Sequence, residues 1–383
     1  EIAQCLVGSE MCIRDRFGIC GILTFSSFGG TDTAKMIYAY VTYTLMMMVY
    51  SLINVPYASL LGVMSASPQT RTELSSYRMT FAFGGSILVL ALVEPLTDFF
   101  SRMEMNSGKP SILFGWQMAA CFFALIAVVM FFLTFSWTKE RIRPIVEKKG
   151  SLKNDIRDLC TNRPWWILLG ASVMVLVFNS VRDGAAVFFF KYNVSGASDW
   201  SFSIFSGTFT LITVYLVLGQ AFNIIGILCV PALTRLLGKK NTFFYAMVGA
   251  TVLSVLFYFL PEGFVSGILV MQALISFCAG IVSPLMWSMY ADIADYSEWK
   301  TGRRATGLIF SSSSMSQKLG WTIGGSMSGW LLFYFGFEAN AVQTESSLNG
   351  ILLMMSLLPA CATLISVLFI SRLSLIHISE PTR

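Results

Sequence analysis

The chain has 383 residues, 55% of them hydrophobic and only 12% charged, with a mean hydropathy of +0.68. A soluble domain carries roughly a quarter charged residues, and single cores stop growing near ~250–300 residues, so this much apolar surface excludes a soluble enzyme and requires lipid as solvent. The formal net charge of +5 is modest, and the basic residues lie in loops between apolar runs, which excludes a clustered nucleic-acid-binding face.

At the N-terminus, LVGSEMCIRDR (Leu6 to Arg16) is similar to a translated sequencing adaptor. LSLIHISEPTR (Leu373 to Arg383) is similar to the same adaptor read from the opposite strand. Residues 1–16 and 373–383 are therefore read as non-native, and 17–372 as the natural segment. The one histidine, His377, falls in the second tail. Histidine is the usual general base and the commonest metal ligand, so its absence elsewhere weighs against an enzyme. The eight cysteines are scattered without CxxC spacing and read as free thiols, with no metal site or cofactor implied.

A membrane-spanning helix needs ~20 mostly apolar residues. In chain order the candidates are Phe17–Phe28 (a cut remnant), Lys35–Met64, Thr80–Phe100, Ile112–Trp137, Trp165–Tyr192, Phe205–Leu237, Thr242–Leu260, Val265–Tyr290, Thr306–Phe335 and Leu348–Ser371. Every second loop is basic: Arg71 and Arg78; the cluster from Lys139 to Arg163; Arg235, Lys239 and Lys240; Lys300, Arg303 and Arg304. Positive loops stay cytoplasmic, which also places the C-terminus in the cytoplasm. The polar stretch 138–164 divides a partial N-terminal half, 17–137, from a six-helix half, 165–372. On that count the first two helices are missing and the third is cut. A weak repeat supports two halves: Pro56, a basic loop and Gly84–Gly85 correspond to Pro284, a basic loop and Gly324–Gly325.

Several residues carry more than packing. Lys318 lies twelve residues into its apolar run, about 18 Å at 1.5 Å per residue, too deep to snorkel; intramembrane charges are rare, paired and usually functional. Gly320, Gly324, Gly325 and Gly329 form two successive GxxxG patterns, read as helix packing. Pro56 is expected to break its helix and free carbonyls near Ser51 and Asn54, and Asn54 can both donate to and accept from sugar hydroxyls. Asp292 and Asp295, spaced i, i+3, share a helix face. With Glu298, Lys300, Arg303 and Arg304 they are read as a charge network that closes a cytoplasmic gate. Glu94, Arg182 and Asp183 lie in or near apolar runs. Arg182 and Asp183 project in different directions, and both can bind a polyol. Tyr40, Tyr43, Tyr57, Trp287 and Trp321 are candidate stacking surfaces for sugar rings.

INVPYASLLGVM, TELSSYR, YADIADYSEWKTGRRATGL and QKLG together resemble the glycoside–pentoside–hexuronide:cation symporters, the melibiose-carrier group. The resemblance covers essentially all of Phe17–Arg372. It implies an all-α, polytopic membrane protein of the major facilitator fold, with two six-helix halves of which about ten helices are present. It implies symport of a sugar or glycoside with Na⁺, Li⁺ or H⁺ across a bacterial inner membrane, with no other cofactor and no nucleic-acid partner. The alternative is a carrier of non-sugar cargo on the same fold. The resemblance also implies that Arg78 contacts the sugar, that Ser51 lies near the cation, that Lys318 links the cation site to the cavity, and that Asp292 and Asp295 are the acidic pair at the cytoplasmic side. From the residues themselves, Asn54, Tyr57 and Arg182 join Arg78 as candidate sugar contacts, Asn54 joins Ser51 and Lys318 at the cation, and Arg303 and Arg304 join the two acids in the gate. Asn54 replaces an aspartate of the melibiose carrier and Ala58 a tryptophan, departures that bear on sugar specificity.

Overall fold

The computed structural model describes residues 17–26, 31–64, 67–103, 105–106, 109–137, 157, 159–194, 201–204, 207–261, 263–301 and 306–373. The first adaptor-like tail, the second from 374 onward, most of the central polar stretch, and Arg303 and Arg304 lie outside the described residues. Ten helices are present among those described: α1 (17–24), α2 (Asp32–Met64), α3 (Pro68–Met103), α4 (Ile112–Trp137), α5 (Arg163–Phe188), α6 (Leu211–Tyr258), α7 (Val265–Thr301), α8 (Thr306–Tyr334), α9 (Glu345–Met355) and α10 (Leu357–Ser371). Two short antiparallel hairpins, β1 (Met105–Asn106) with β2 (Lys109–Pro110) and β3 (Ser201–Ile204) with β4 (Gly207–Thr210), sit between helices.

Among the described residues, seven apolar stretches are long enough and apolar enough to cross a membrane, and α8, expected as a span, is not one of them. The longest, α6, has 48 residues, about 72 Å at 1.5 Å per residue, more than twice a hydrocarbon core of ~30 Å. It divides at Gly238, whose φ of 77° and ψ of 159° leave the helical region. Only glycine adopts that conformation without a Cβ clash, so α6 provides two of the spans expected from sequence. The last span breaks at Ser356 into α9 and α10.

Three boundaries differ from the sequence reading. The expected loop around Arg71 and Arg78 is helix, because Ser67 caps α3 (Thr70 N to Ser67 Oγ, 3.5 Å) and Pro68 takes the first position, where its missing N–H costs nothing. The α7 helix continues through ADIADYSEWK to Thr301 instead of ending near Tyr290. The α2 helix runs through Pro56 to Met64, so the expected break is not there.

The described chain forms two compact units. The first comprises the described residues of Glu1–Met64 and Leu88–Arg143. In it Phe17 of α1 meets Phe131 of α4 edge-on at 6.1 Å, Tyr38 of α2 donates to the Leu23 carbonyl at 2.6 Å, and Gln117 donates to Ser26 at 3.2 Å.

The second unit comprises the described residues of Ser65–Ile87 and Pro144–Arg383. Its core is built from Val177, Phe178, Val181, Phe189, Tyr215, Phe257, Ile275 and Met354. α5 and α8 pack through small residues: a Cβ on Gly320 would lie 2.5 Å from Leu176 Cβ, and one on Gly324 2.5 Å from Ser180 Cβ. Gly329 has open space instead, so only the first of the two glycine patterns is a packing seam. Serine hydroxyls satisfy the polar face of α8: Trp165 Nε1 donates to Ser312 at 2.8 Å, and the buried Tyr290 hydroxyl lies 3.2 Å from Ser172 and 3.4 Å from Ser316. Replacing Gly324 by Leu is expected to push α8 off α5, destabilising the transporter by about 1–3 kcal/mol. Thermal unfolding of the purified protein checks this, and a Gly329→Leu control should melt as wild type.

Candidate functional site: a charged clasp and its surroundings

The charged residues gather where α3 begins, α6 divides and α7 ends, all inside the second unit. Arg71, 3% exposed, pairs with Asp295. Arg235 Nη2 lies 2.5 Å from Glu73 Oε1, and Lys239 Nζ lies 2.6 Å from Asp292 Oδ2. Uncharged contacts run beneath the ion pairs. Thr72 and Ser288 share a hydroxyl contact at 2.9 Å, Ser75 Oγ donates to the Pro284 carbonyl at 2.9 Å, and Gln69 Nε2 donates to the Pro231 carbonyl at 3.3 Å.

Local sequence explains this gathering. The early start of α3 puts Arg71, Ser75 and Arg78 at i, i+4 and i+7, on one helical face. The turn at Gly238 opens the chain next to Lys239, whose amine meets Asp292. The α7 extension carries Asp292 and Asp295 at i, i+3, so one face presents both acids. Arg71, Lys239, Asp292 and Asp295 balance to zero formal charge. Asp292 is 4% exposed, and a buried charge is tolerated only when paired.

The sequence expectations fare differently. Asp292 and Asp295 do come together with cations, but these are Lys239 and Arg71; Arg303 and Arg304 are not among the described residues. The Arg78 guanidinium sits 4.7 Å over the Trp287 ring. Trp287 is 3% exposed and stacks with Phe310 at 6.4 Å and 13°. It is therefore an internal platform for Arg78, not an open surface for a sugar. Arg182 is 4% exposed. It donates to the Met355 carbonyl at 3.2 Å, to Tyr215 at 3.3 Å and to Gln272 at 2.9 Å, and lies 5.2 Å from the Phe257 ring. This geometry gives Arg182 the task of holding α5 to α6, α7 and the break at Ser356.

In the first unit, Asn54 is half-buried on α2 and Tyr57 is 42% exposed. Ser51 Oγ donates to its own helix at the Met47 carbonyl, 2.5 Å away, which occupies its proton. Tyr40 and Tyr43 are 69% and 54% exposed. Lys318 is half-buried on α8 in the second unit, and Trp321, one turn further on, is 47% exposed.

Sequence reasoning missed Glu73, Thr72, Ser75, Arg235 and Lys239 as partners. The Ser-Pro helix start at 67–68 could have revealed the first three. The two cations had been weighed only as orientation signals.

A family model described as MFS/sugar transport protein matches residues 17–376. The chain belongs to that family. The transporter is 31% identical over 338 residues to the isoprimeverose transporter of Lactiplantibacillus pentosus, covering 88% of this chain and 67% of that protein. It is 29% identical over 357 residues to the inner membrane symporter YicJ of Escherichia coli strain K12, covering 93% and 73%. Among solved structures it resembles FucP, a major facilitator superfamily transporter in the outward conformation, with a TM-score of 0.65 at 13% identity, covering 96% of this chain and 83% of that one. At that identity the likeness speaks for the fold: the transporter is an all-α, polytopic membrane protein of the major facilitator type. The family is one of carriers and not of enzymes.

Proposed function

We propose that the transporter moves a sugar or glycoside together with Na⁺ or H⁺ across a bacterial inner membrane by alternating access. Membership of the sugar-transport family and the symporter relatives support substrate class and coupling. The observation that carries the mechanism is the clasp: Arg71–Asp295 and Glu73–Arg235 tie the first turns of α3 to α7 and α6. The excess of Lys and Arg in alternate loops supports a cytoplasmic position for this clasp and for the C-terminus. Glu73–Arg235 is part-exposed and such a pair is worth only ~0–1 kcal/mol, while Arg71 is buried against Asp295; together they hold one state and release within a transport cycle. Unlatching lets the sugar leave toward the cytoplasm, and relatching resets the carrier.

Lys318 serves the coupling in this reading. It is half-buried on α8, one turn from the exposed Trp321, and a Na⁺ or proton bound nearby would change its electrostatic environment. Replacing Lys318 by Ala is expected to lower cation-coupled uptake by about 100-fold, on the order of 2.7 kcal/mol at ~1.4 kcal/mol per decade. Initial uptake rates with and without an inward cation gradient test this; an unchanged gradient dependence would remove Lys318 from coupling.

The whole proposal is tested in transport-deficient cells by following external pH and Na⁺ while glycosides, pentosides and uronides are added. A sugar-triggered fall in one external cation is the expected result. No fall with any sugar, with the protein present in the membrane, would refute symport.

A further inference from the structure

Between Ser172 and Asp183, α5 carries five polar side chains: Ser172, Asn179, Ser180, Arg182 and Asp183. Three of them are satisfied inside the second unit. Ser172 donates to the Leu168 carbonyl at 2.8 Å, Ser180 to the Trp321 carbonyl at 3.2 Å, and Arg182 makes the three bonds already described. Asn179 and Asp183 differ. Neither makes a hydrogen bond or ion pair with any described residue. They are four residues apart, on one helical face. Asn179 is half-buried and Asp183 is exposed. The same face continues one turn later at Val187, 52% exposed.

Their depth makes this informative. The span runs from Arg163 to Asn193, so Asp183 lies about 15 Å from its Asn193 end and about 30 Å from the other, at 1.5 Å per residue. Hydrocarbon does not tolerate an ionised carboxylate beside an unsatisfied amide, so this face meets water or a polar ligand. The remaining faces of α5 are occupied: Gly184 approaches Ser328 of α8, while Arg182, Ala185 and Ala186 are buried in the core. Burial of the Arg182 cation next door leaves the Asp183 carboxylate as the one charge that α5 presents on its open face at this level.

A carboxylate only accepts hydrogen bonds, and an amide both donates and accepts. One turn apart, the two match a pair of neighbouring hydroxyls on a sugar ring: one donates to Asp183, and the other exchanges bonds with Asn179. We propose that Asn179 and Asp183 form a sugar-hydroxyl subsite on α5, which contributes to selecting the transported glycoside. This rests on the sugar-transport reading above.

The test is isothermal titration of the purified transporter in nanodiscs with p-nitrophenyl xyloside, galactoside, glucoside and glucuronide, at fixed pH with and without Na⁺. For whichever glycoside the wild type binds, Asp183→Asn and Asn179→Ala are each expected to weaken affinity about tenfold, the size of one lost hydrogen bond to a sugar hydroxyl. Cation dependence should be unchanged and the melting temperature near wild type. Wild-type affinity in both variants would overturn the subsite while leaving sugar transport standing. Altered cation dependence at intact sugar affinity would also overturn it, assigning the acid to the ion. Binding of none of the glycosides by the wild type would overturn the sugar reading itself, and the subsite with it.

Discussion

Replacing Lys239 by Met is expected to produce the largest loss of stability of any single change at the clasp. Asp292 and Lys239 are 6% and 14% exposed at the side chain and 2.6 Å apart. Removing one partner from a buried pair costs about 3–5 kcal/mol, because the other charge stays in a poor solvent. Asp292 has little else to absorb the change, since its Oδ1 has no hydrogen-bond partner among the described residues and the other cation acting on it, Arg71, is paired with Asp295. The double variant Lys239→Met with Asp292→Asn removes both charges and should recover most of the loss. Thermal unfolding of the two variants and the wild type decides the matter. A single variant that melts as wild type, or a double variant no better than the single, would show that Lys239 does not hold Asp292.

The second large effect is conformational. Replacing Arg71 by Met removes the cation that ties α3 to Asp295 and leaves the two acids of α7 with Lys239. The fold of α6 and α7 should survive, because their own pair is intact. What changes is the balance between the latched form and a form in which the start of α3 leaves α7. Losing an ion pair whose arginine is buried should move that balance by about tenfold, or ~1.4 kcal/mol. A Ser75→Cys reporter reads it: Ser75 is 0% exposed and held against Pro284, so a thiol there reacts only when the clasp opens. About tenfold faster alkylation in the Arg71→Met background is the expected result. Equal rates would mean that Arg71 does not hold the clasp.

Much of this molecule was written in local sequence. Composition alone demanded lipid, because no soluble core could bury such a fraction of apolar residues. Unbroken apolar runs indicated most of the spans, because each helix satisfies its own backbone and needs no partner to be recognised in a bilayer; the serine- and glycine-rich α8 is helical as expected but falls outside the apolar spans. The quoted motifs were specific enough to indicate the family. They put Asp292 and Asp295 in a charge network with Lys300, Arg303 and Arg304, whereas the cations the acids meet among the described residues are Arg71 and Lys239.

The partners and the directions of side chains were decided elsewhere. Arg71 and Asp295 are 224 residues apart in sequence, and no periodicity links them; only packing of α3 against α7 does. Trp287 reads as a sugar platform in sequence because an indole is suited to stacking, yet Arg78 and Phe310 already engage it. Arg182 and Asp183 look alike as neighbouring charges in an apolar run. Successive helical side chains point about 100° apart, so one turned into the core and the other stayed open. Sequence by itself determined where the apolar helices run, what solvent they need and which family they belong to, because these follow from each segment's own chemistry. Which charges pair, which aromatic rings are covered and which polar face of α5 remains open were settled only by tertiary packing, because each depends on what the neighbouring helices bring to that face.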